Sequence, residues 1–515
     1  MATSASEDGL PSAAVPAERG RDSGTGRYGS GYMQGILTRL GRVSPVWLAF
    51  FGSLLLSLVA VSGVVTIARD AAFYIDIAQQ VNGQGPQVAM KLFDWPWFPL
   101  LLAYTHSLLG LPYEAAAYLW CALFMAGTCA LLVDCTRQRV PDAGHWACLV
   151  VLAMPAFNQF RYDILREFGF WFFCSLALWL ALRWQARGGW WRATSIHLAL
   201  LAAALFRLEA LVLLAALALW QLPELRSREG RLRILQLAAL PLLAVAVGAL
   251  ALLAMGGLSS ARVDYYLSLL DPRQVLVSFD ALSRQFSASL ITKYSKDETD
   301  QIIFFGLLAA LLIKFVKVLG PFAATFLSRR TWSAGRCYWQ EFRPFAWAAL
   351  LYLGVLMLFF VRLQFMNARY TSFLNLLVVP LVAVSLMLFA RNFPRLAKGL
   401  VVLALLAMLD NVVSLSAKKT HYIEAGHWVA QHIEPAAPVY YDDGRIAYYA
   451  GRGYPKSDLT REAAMGPERA GQYRYFLIEA DADEPWLKDW LAQRNAQVLA
   501  RFANRKGDAV LVIGN

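Results

Sequence analysis

Apolar stretches of roughly 20 residues recur along the first 416 residues of this 515-residue chain and then stop. Clear examples cover residues 46–66, 234–255, 302–319 and 396–415. A helix needs roughly 20 mostly apolar residues to cross roughly 30 Å of hydrocarbon, and one soluble core has no use for so many runs of that length. The chain therefore reads as an α-helical polytopic membrane protein. Its charged fraction, 16%, agrees with this; soluble chains carry about 25%. Its 17 tryptophans and 21 tyrosines suit a molecule with many interfacial anchors.

The net charge of +12 would suggest nucleic acid in a soluble protein. Here Lys and Arg fall in short loops, where they hold the cytoplasmic side. No basic, aromatic-interleaved motif supports a nucleic-acid partner. Cysteines stand at 121, 129, 135, 148, 174 and 337 with no Cys-x-x-Cys pair, so they read as small core residues. Residues 1–45 are rich in Gly, Ser, Ala and charge and read as a disordered cytoplasmic tail. No short apolar stretch follows a basic start there, so the first run reads as a retained helix.

Flanking arginines set the expected topology. The tail is placed inside and the first span exits near Thr66. Residues 95–110 are apolar but short, and Pro96 and Pro112 bound them; they are expected to lie on the outer surface. A span over 114–134 then leads inward to Arg137 and Arg139. Further inner loops hold Arg183 and Arg187, Arg226 to Arg233, Arg329 to Arg343, and Arg391 to Lys398. This gives about eleven spans within residues 46–416. A long outer loop covers 256–300, and residues 417–515 read as a small extracytoplasmic α/β domain. Its expected elements are helices over 422–434 and 485–494, strands over 438–441 and 475–478, and two terminal strands around Val498 and Val510. The pair Asp442 and Asp443 before Gly444 reads as a turn.

Several charges break the positive-inside pattern. They are Arg69 and Asp70, Lys91 and Asp94, Arg161 to Glu167, Arg207 and Glu209, and Arg362 and Arg369. All fall near one membrane face. Taken singly, each reads as an anchor or half of a salt bridge. As a group of mixed sign at membrane depth they mark a functional site. Arginines grip phosphate through paired charge-assisted hydrogen bonds, and a carboxylate can take a proton from an attacking hydroxyl.

Four local patterns carry a resemblance. Residues 69–79 read Arg-Asp-Ala-Ala-Phe-Tyr-Ile-Asp-Ile-Ala-Gln just after the first span, with acidic Asp70 followed by Tyr74. Lys91 precedes Trp-Pro-Trp-Phe-Pro-Leu-Leu-Leu at 95–102. Residues 166–173 read Arg-Glu-Phe-Gly-Phe-Trp-Phe-Phe, and 367–380 hold Arg369, Tyr370, an apolar run and Pro380. In this order the patterns resemble the GT-C glycosyltransferases of the protein O-mannosyltransferase and aminoarabinose (lipid A) transferase type. Ala71 stands where those enzymes frequently carry a second acid.

The resemblance implies transfer of a sugar from a polyprenyl-phosphate-linked donor to a lipid, glycan or protein acceptor, on the outer face of a bacterial inner membrane. It implies Asp70 and Glu167 as catalytic residues, and Arg369, Arg207 and Lys91 as donor-phosphate ligands. Arg69, Tyr74, Arg166 and Tyr370 are expected to position substrate. No cofactor or metal is required, and a divalent cation is left open. A polymerase using a diphosphate-linked oligosaccharide, a lipid or sugar transporter, and a membrane scaffold presenting residues 417–515 are the competing readings.

Overall fold

The computed structural model describes residues 43–254, 268, 271–413, 416–455, 459–481 and 483–514. Most of the tail expected over 1–45 and part of the loop expected over 256–300 lie outside them. The described residues from Pro45 onward form one compact unit.

The first helix, Pro45–Ser62, shows how the sequence packs without water. Its buried positions are Pro45, Ala49, Ser53, Ser57 and Ala60. Small residues every three or four positions let the helix lie close against Tyr113–Arg139, as membrane helices do when apolar burial gives no gain over lipid. The large residues face outward: Phe51, Leu55 and Leu58 are each at least 60% exposed. The same inversion recurs at Leu242, Ile313 and Leu396. The helix Tyr113–Arg139 is the opposite case, with 56% of its apolar window buried against 28% for the first. It is the central post of the bundle.

About eleven spans were expected, and apolar helices recur through residues 45–412. Six are long and apolar enough to cross a membrane, or seven with one bent pair, among the described residues. Four others are Gly144–Ala153, Glu167–Arg187, Trp190–Phe206 and Pro394–Val412. The first and third are short, at 10 and 17 residues. The other two carry charges toward both ends, including Glu167 and Arg187, and Arg395 and Asp410. The bent pair is Ala368–Leu377 followed by Val379–Asn392, turned by 65°. Pro380 lies at its break, where a missing N–H and a ring clash interrupt the helical ladder.

Residues 97–109 form the short helix expected at the surface, ended by Gly110 in the left-handed conformation at φ 66°. The expected outer loop is itself helical over Pro272–Ser289 and Lys293–Asp297.

From Thr420 onward the chain builds a four-stranded sheet: β1 Val439–Tyr441, β2 Tyr475–Glu479, β3 Gln497–Ala503 and β4 Ala509–Gly514. The order is β1-β2-β4-β3, with β1 parallel to β2 and the other pairs antiparallel. All six residues of β4 are buried. Both faces are covered, so the strand reads as a continuous apolar run rather than an alternating one. Leu511 and Ile513 pack with Leu487 and Met465 on one face, while Val510 and Val512 pack with Tyr422, Val429 and Ile446 on the other. The segment read as a turn at 442–444 opens the helix Gly444–Tyr449, whose N-cap is Asp443.

Candidate active site

The site assembles at helix ends. The helices Glu167–Arg187 and Trp190–Phe206 form an antiparallel hairpin, so the start of one and the end of the other meet at one level. That places Glu167, the first residue of its helix, beside Arg207, the residue that follows the other. Close approach depends on Gly169, where a Cβ would collide with the Phe206 ring. Asp70 lies in the first turn of the helix Arg69–Gln84. Arg369 lies in the first turn of Ala368–Leu377, where the Asn367 side chain accepts from its backbone N–H at 3.2 Å.

These four side chains form one connected network. Arg369 donates through Nη1 to Asp70 Oδ2 at 2.5 Å, and the same nitrogen lies 3.9 Å from Glu167 Oε1. Glu167 Oε1 also accepts from Arg207 Nη1 at 2.8 Å. Arg207 in turn donates to Glu209, with Nε at 3.1 Å. Its guanidinium lies 4.9 Å from the Tyr370 ring centre. Exposure falls along the chain of contacts: Asp70 is 41% exposed, Arg369 26% and Glu167 8%. The network therefore has an open end, at Asp70, and a closed one. Glu167 Oε2 is buried without a hydrogen-bond partner. A buried carboxylate oxygen left unpaired is costly, which makes it a place for a ligand hydroxyl.

Asp163, in the segment before Glu167, belongs to the same electrostatic field. Burial pushes its carboxyl up to about 7; Arg369 pulls it down, and Asp70 and Glu167 add to the rise. Sequence reasoning counted Asp163 and Glu209 among the outer-face charges of the site but gave neither a specific role. Their sequence signal was the outer-face charge itself, without a motif around it.

Other expected residues sit differently. Lys91 is exposed on the short helix Gln87–Leu92 and joins none of the ion pairs among the described residues. Tyr74 is buried against Phe93 and Phe98, with ring centres 5.9 and 5.5 Å away, so it fixes the Asp70 helix rather than facing an open site. Arg166 stacks over Phe93 at 5.2 Å. Arg69 reaches the C-terminal region: its Nε donates to Asp443 Oδ2 at 2.7 Å, and its Nη2 lies 3.4 Å from Glu479. Expected to position substrate, it forms here a bridge to the C-terminal region. Asp443 is fully buried, and Arg445 grips it through Nε at 2.9 Å and Nη2 at 2.6 Å. Arg161 is also structural. It is 3% exposed and donates to Ser53 Oγ and Ser57 Oγ, each at 2.9 Å, bracing the first helix.

All six cysteines are free thiols. Among the described residues no three His, Cys, Asp or Glu side chains converge as a set able to hold a metal ion.

The architecture is a polytopic helical bundle with charged groups gathered at helix ends and a small α/β region following it, and a solved structure shares it. The crystal structure of ArnT from Cupriavidus metallidurans in the apo state superposes with a TM-score of 0.52 at 13% sequence identity, covering 94% of this chain and 98% of that one. At that identity the likeness concerns the fold. No known family pattern matches the chain, and no curated protein matches it.

Proposed function

We propose that the chain is a membrane glycosyltransferase that moves a sugar from a polyprenyl-phosphate donor to an acceptor hydroxyl, by a single displacement with inversion. The observation that carries this reading is the linked set Asp70, Arg369, Glu167 and Arg207, drawn from four separate places in the sequence to one group of helix ends. Transporters place their unusual charges near mid-span, at interrupted helices; here they sit at helix termini. The fold shared with ArnT supports the same class.

In the proposed reaction the acceptor oxygen attacks the anomeric carbon while Asp70 takes its proton. The bond from that carbon to the phosphate oxygen breaks, and the lipid phosphate leaves with an added negative charge. Arg369 and Arg207 stabilise that charge, and Lys91 meets it from the exposed side. Donor phosphate competes with Asp70 for Arg369 Nη1, so donor binding itself frees the carboxylate to act as base. Glu167 holds a sugar or acceptor hydroxyl through its unpaired Oε2. Tyr74, Arg166 and Tyr370 keep the charged groups in place. No step is assigned to a cofactor or a cation. The protein is placed in a bacterial inner membrane, with the N-terminus cytoplasmic and the site and C-terminal region periplasmic. The acceptor is a lipid, glycan or protein.

The test is transfer of labelled sugar from a polyprenyl-phosphate donor pool to membrane acceptors by purified protein. Asp70→Asn is compared with Lys398→Gln, a change on an exposed residue outside the site. Loss of roughly 10²–10⁴ in rate is expected for Asp70→Asn alone. Equal rates in both variants would remove Asp70 as the base. No transfer by folded wild type across a broad donor panel would overturn the transferase reading.

A further inference from the structure

Two clefts on the C-terminal region share Arg461 and Glu462. One, of about 370 Å³, is walled by Trp486, Trp490 and Met465. The other, of about 540 Å³, is walled by Tyr440, Asp442, Glu479 and Arg69. Adjoining at these two residues, they make a groove that is aromatic at one end and polar at the other. Arg69, which helps line its polar end, precedes Asp70 in the chain.

The aromatic end is held open by hydrogen bonds. The Trp486 indole N–H donates to the Glu484 carboxylate, and the ring remains 38% exposed. The Arg461 guanidinium lies 5.3 Å from its centre. Trp490 donates to the Met465 carbonyl at 2.8 Å and packs edge-on to Phe476 at 5.1 Å. Such rings offer a fixed apolar face beside polar groups. At the polar end Arg461 donates to the Glu479 carbonyl at 2.8 Å and lies 3.8 Å from Asp442. Two arginines here face the three carboxylates of Asp442, Glu462 and Glu479. A phosphate-rich or nucleic-acid ligand would meet more acid than base. A hydroxyl-rich, uncharged ligand finds both donors and acceptors. Pyranose rings match the whole surface: their C–H faces cover indole, and their equatorial hydroxyls pair with carboxylate and guanidinium.

We infer that this groove binds the saccharide portion of the acceptor and leads its reactive hydroxyl past Arg69 toward Asp70. The inference rests on the transferase reading for its direction, but saccharide binding itself is separable from transfer. It narrows the acceptor to a glycan or a glycan-bearing molecule.

The test uses full-length protein in detergent and saturation-transfer NMR, with maltotriose and chitotriose as uncharged probes and inorganic phosphate as the anionic one. Wild type is compared with Trp486→Ala, Trp486→Phe, Arg461→Gln and Asp70→Asn, each checked for an unchanged thermal midpoint. Expected is saturable binding of at least one saccharide, about tenfold weaker in Trp486→Ala and Arg461→Gln, restored in Trp486→Phe and unaltered in Asp70→Asn. No saccharide signal from folded wild type overturns the groove. So does phosphate binding that only Arg461→Gln abolishes, which defines an anion site. Saccharide binding without any sugar transfer leaves the groove standing and removes the transferase. Transfer without saccharide binding does the reverse.

Discussion

Arg207 shows how much one side chain does here. It bridges Glu167 and Glu209 and lies against Tyr370, using the fork of its guanidinium. Lysine keeps the charge but not the fork. Arg207→Lys is expected to fold and to lose about tenfold in kcat/KM. Arg207→Met leaves two buried carboxylates without their partner and is expected to cost about 3–5 kcal/mol, read as a lower unfolding midpoint. Asp163 makes a pH prediction. Its carboxyl is raised to about 7, so it is protonated below neutrality and ionises above it. Ionisation adds a negative charge beside Asp70 and Glu167 and opposes the anionic donor. Transfer is therefore expected to decline above about pH 7 in wild type, and Asp163→Asn to flatten that limb. An unchanged pH profile in the variant would remove Asp163 from the site's charge balance. Single residues were also where the sequence was least informative. Arg69 and Arg161 carry the same outer-face signature as Arg369, yet one bridges to Asp443 and the other braces the first helix. Charge at a span end marks membrane depth, and only the fold decides which partner it meets.

Helices were the most legible level. Apolar runs long enough to cross a membrane leave little freedom in placing a helix, so the long apolar helices and the short helix over 97–109 follow from hydropathy. The strands of the C-terminal region begin within about two residues of where their apolar runs place them. What hydropathy missed were local turn decisions. The Asp-Asp-Gly segment matches a turn, but its second aspartate caps a helix because its side chain accepts from the Arg445 N–H at 2.9 Å. The hairpin of Glu167–Arg187 and Trp190–Phe206 gives a test at this scale. Gly169 lets the Phe206 ring lie against the helix. Gly169→Val is expected to push the hairpin apart at its charged end, costing about 1–3 kcal/mol in stability. It should also reduce transfer more than the equivalent change at Gly354, where a Cβ meets nothing within 4 Å. Equal activity of the two variants would show that the approach of Phe206 does not set the Glu167–Arg207 pair.

At the scale of the whole molecule, the C-terminal region is joined to the bundle through Arg69 and Asp443, and again through the Tyr448 hydroxyl donating to Glu114 at 3.2 Å. Burial pushes the Asp443 carboxyl up, but the hydrogen bonds and charge of Arg445, with the charge of Arg69, outweigh it and bring it down to about 2. A carboxylate whose folded value is depressed contributes stability above its unfolded value, and that contribution is lost as pH falls through the folded one. The bridge is therefore expected to be fully present above about pH 4 and to weaken down to about pH 2, with about 2 kcal/mol at stake. Asp443→Asn should remove this acid dependence and reduce transfer at neutral pH, with denaturation followed across pH as the measurement. Sequence patterns indicated that an α/β region follows the bundle. They did not show that it holds the residue next to Asp70, because that contact joins positions 374 apart.

The order of strands adds a consequence in time. β4 lies between β2 and β3 in the sheet, yet it comes after both along the chain. Until β4 is synthesised, the sheet that frames Asp443 has no middle, and Arg69 has nothing firm to hold. A nascent chain can insert its helices and bring Arg369 near Asp70 well before that point. The join between Arg69 and Asp443 is therefore among the later contacts that the emerging chain can secure.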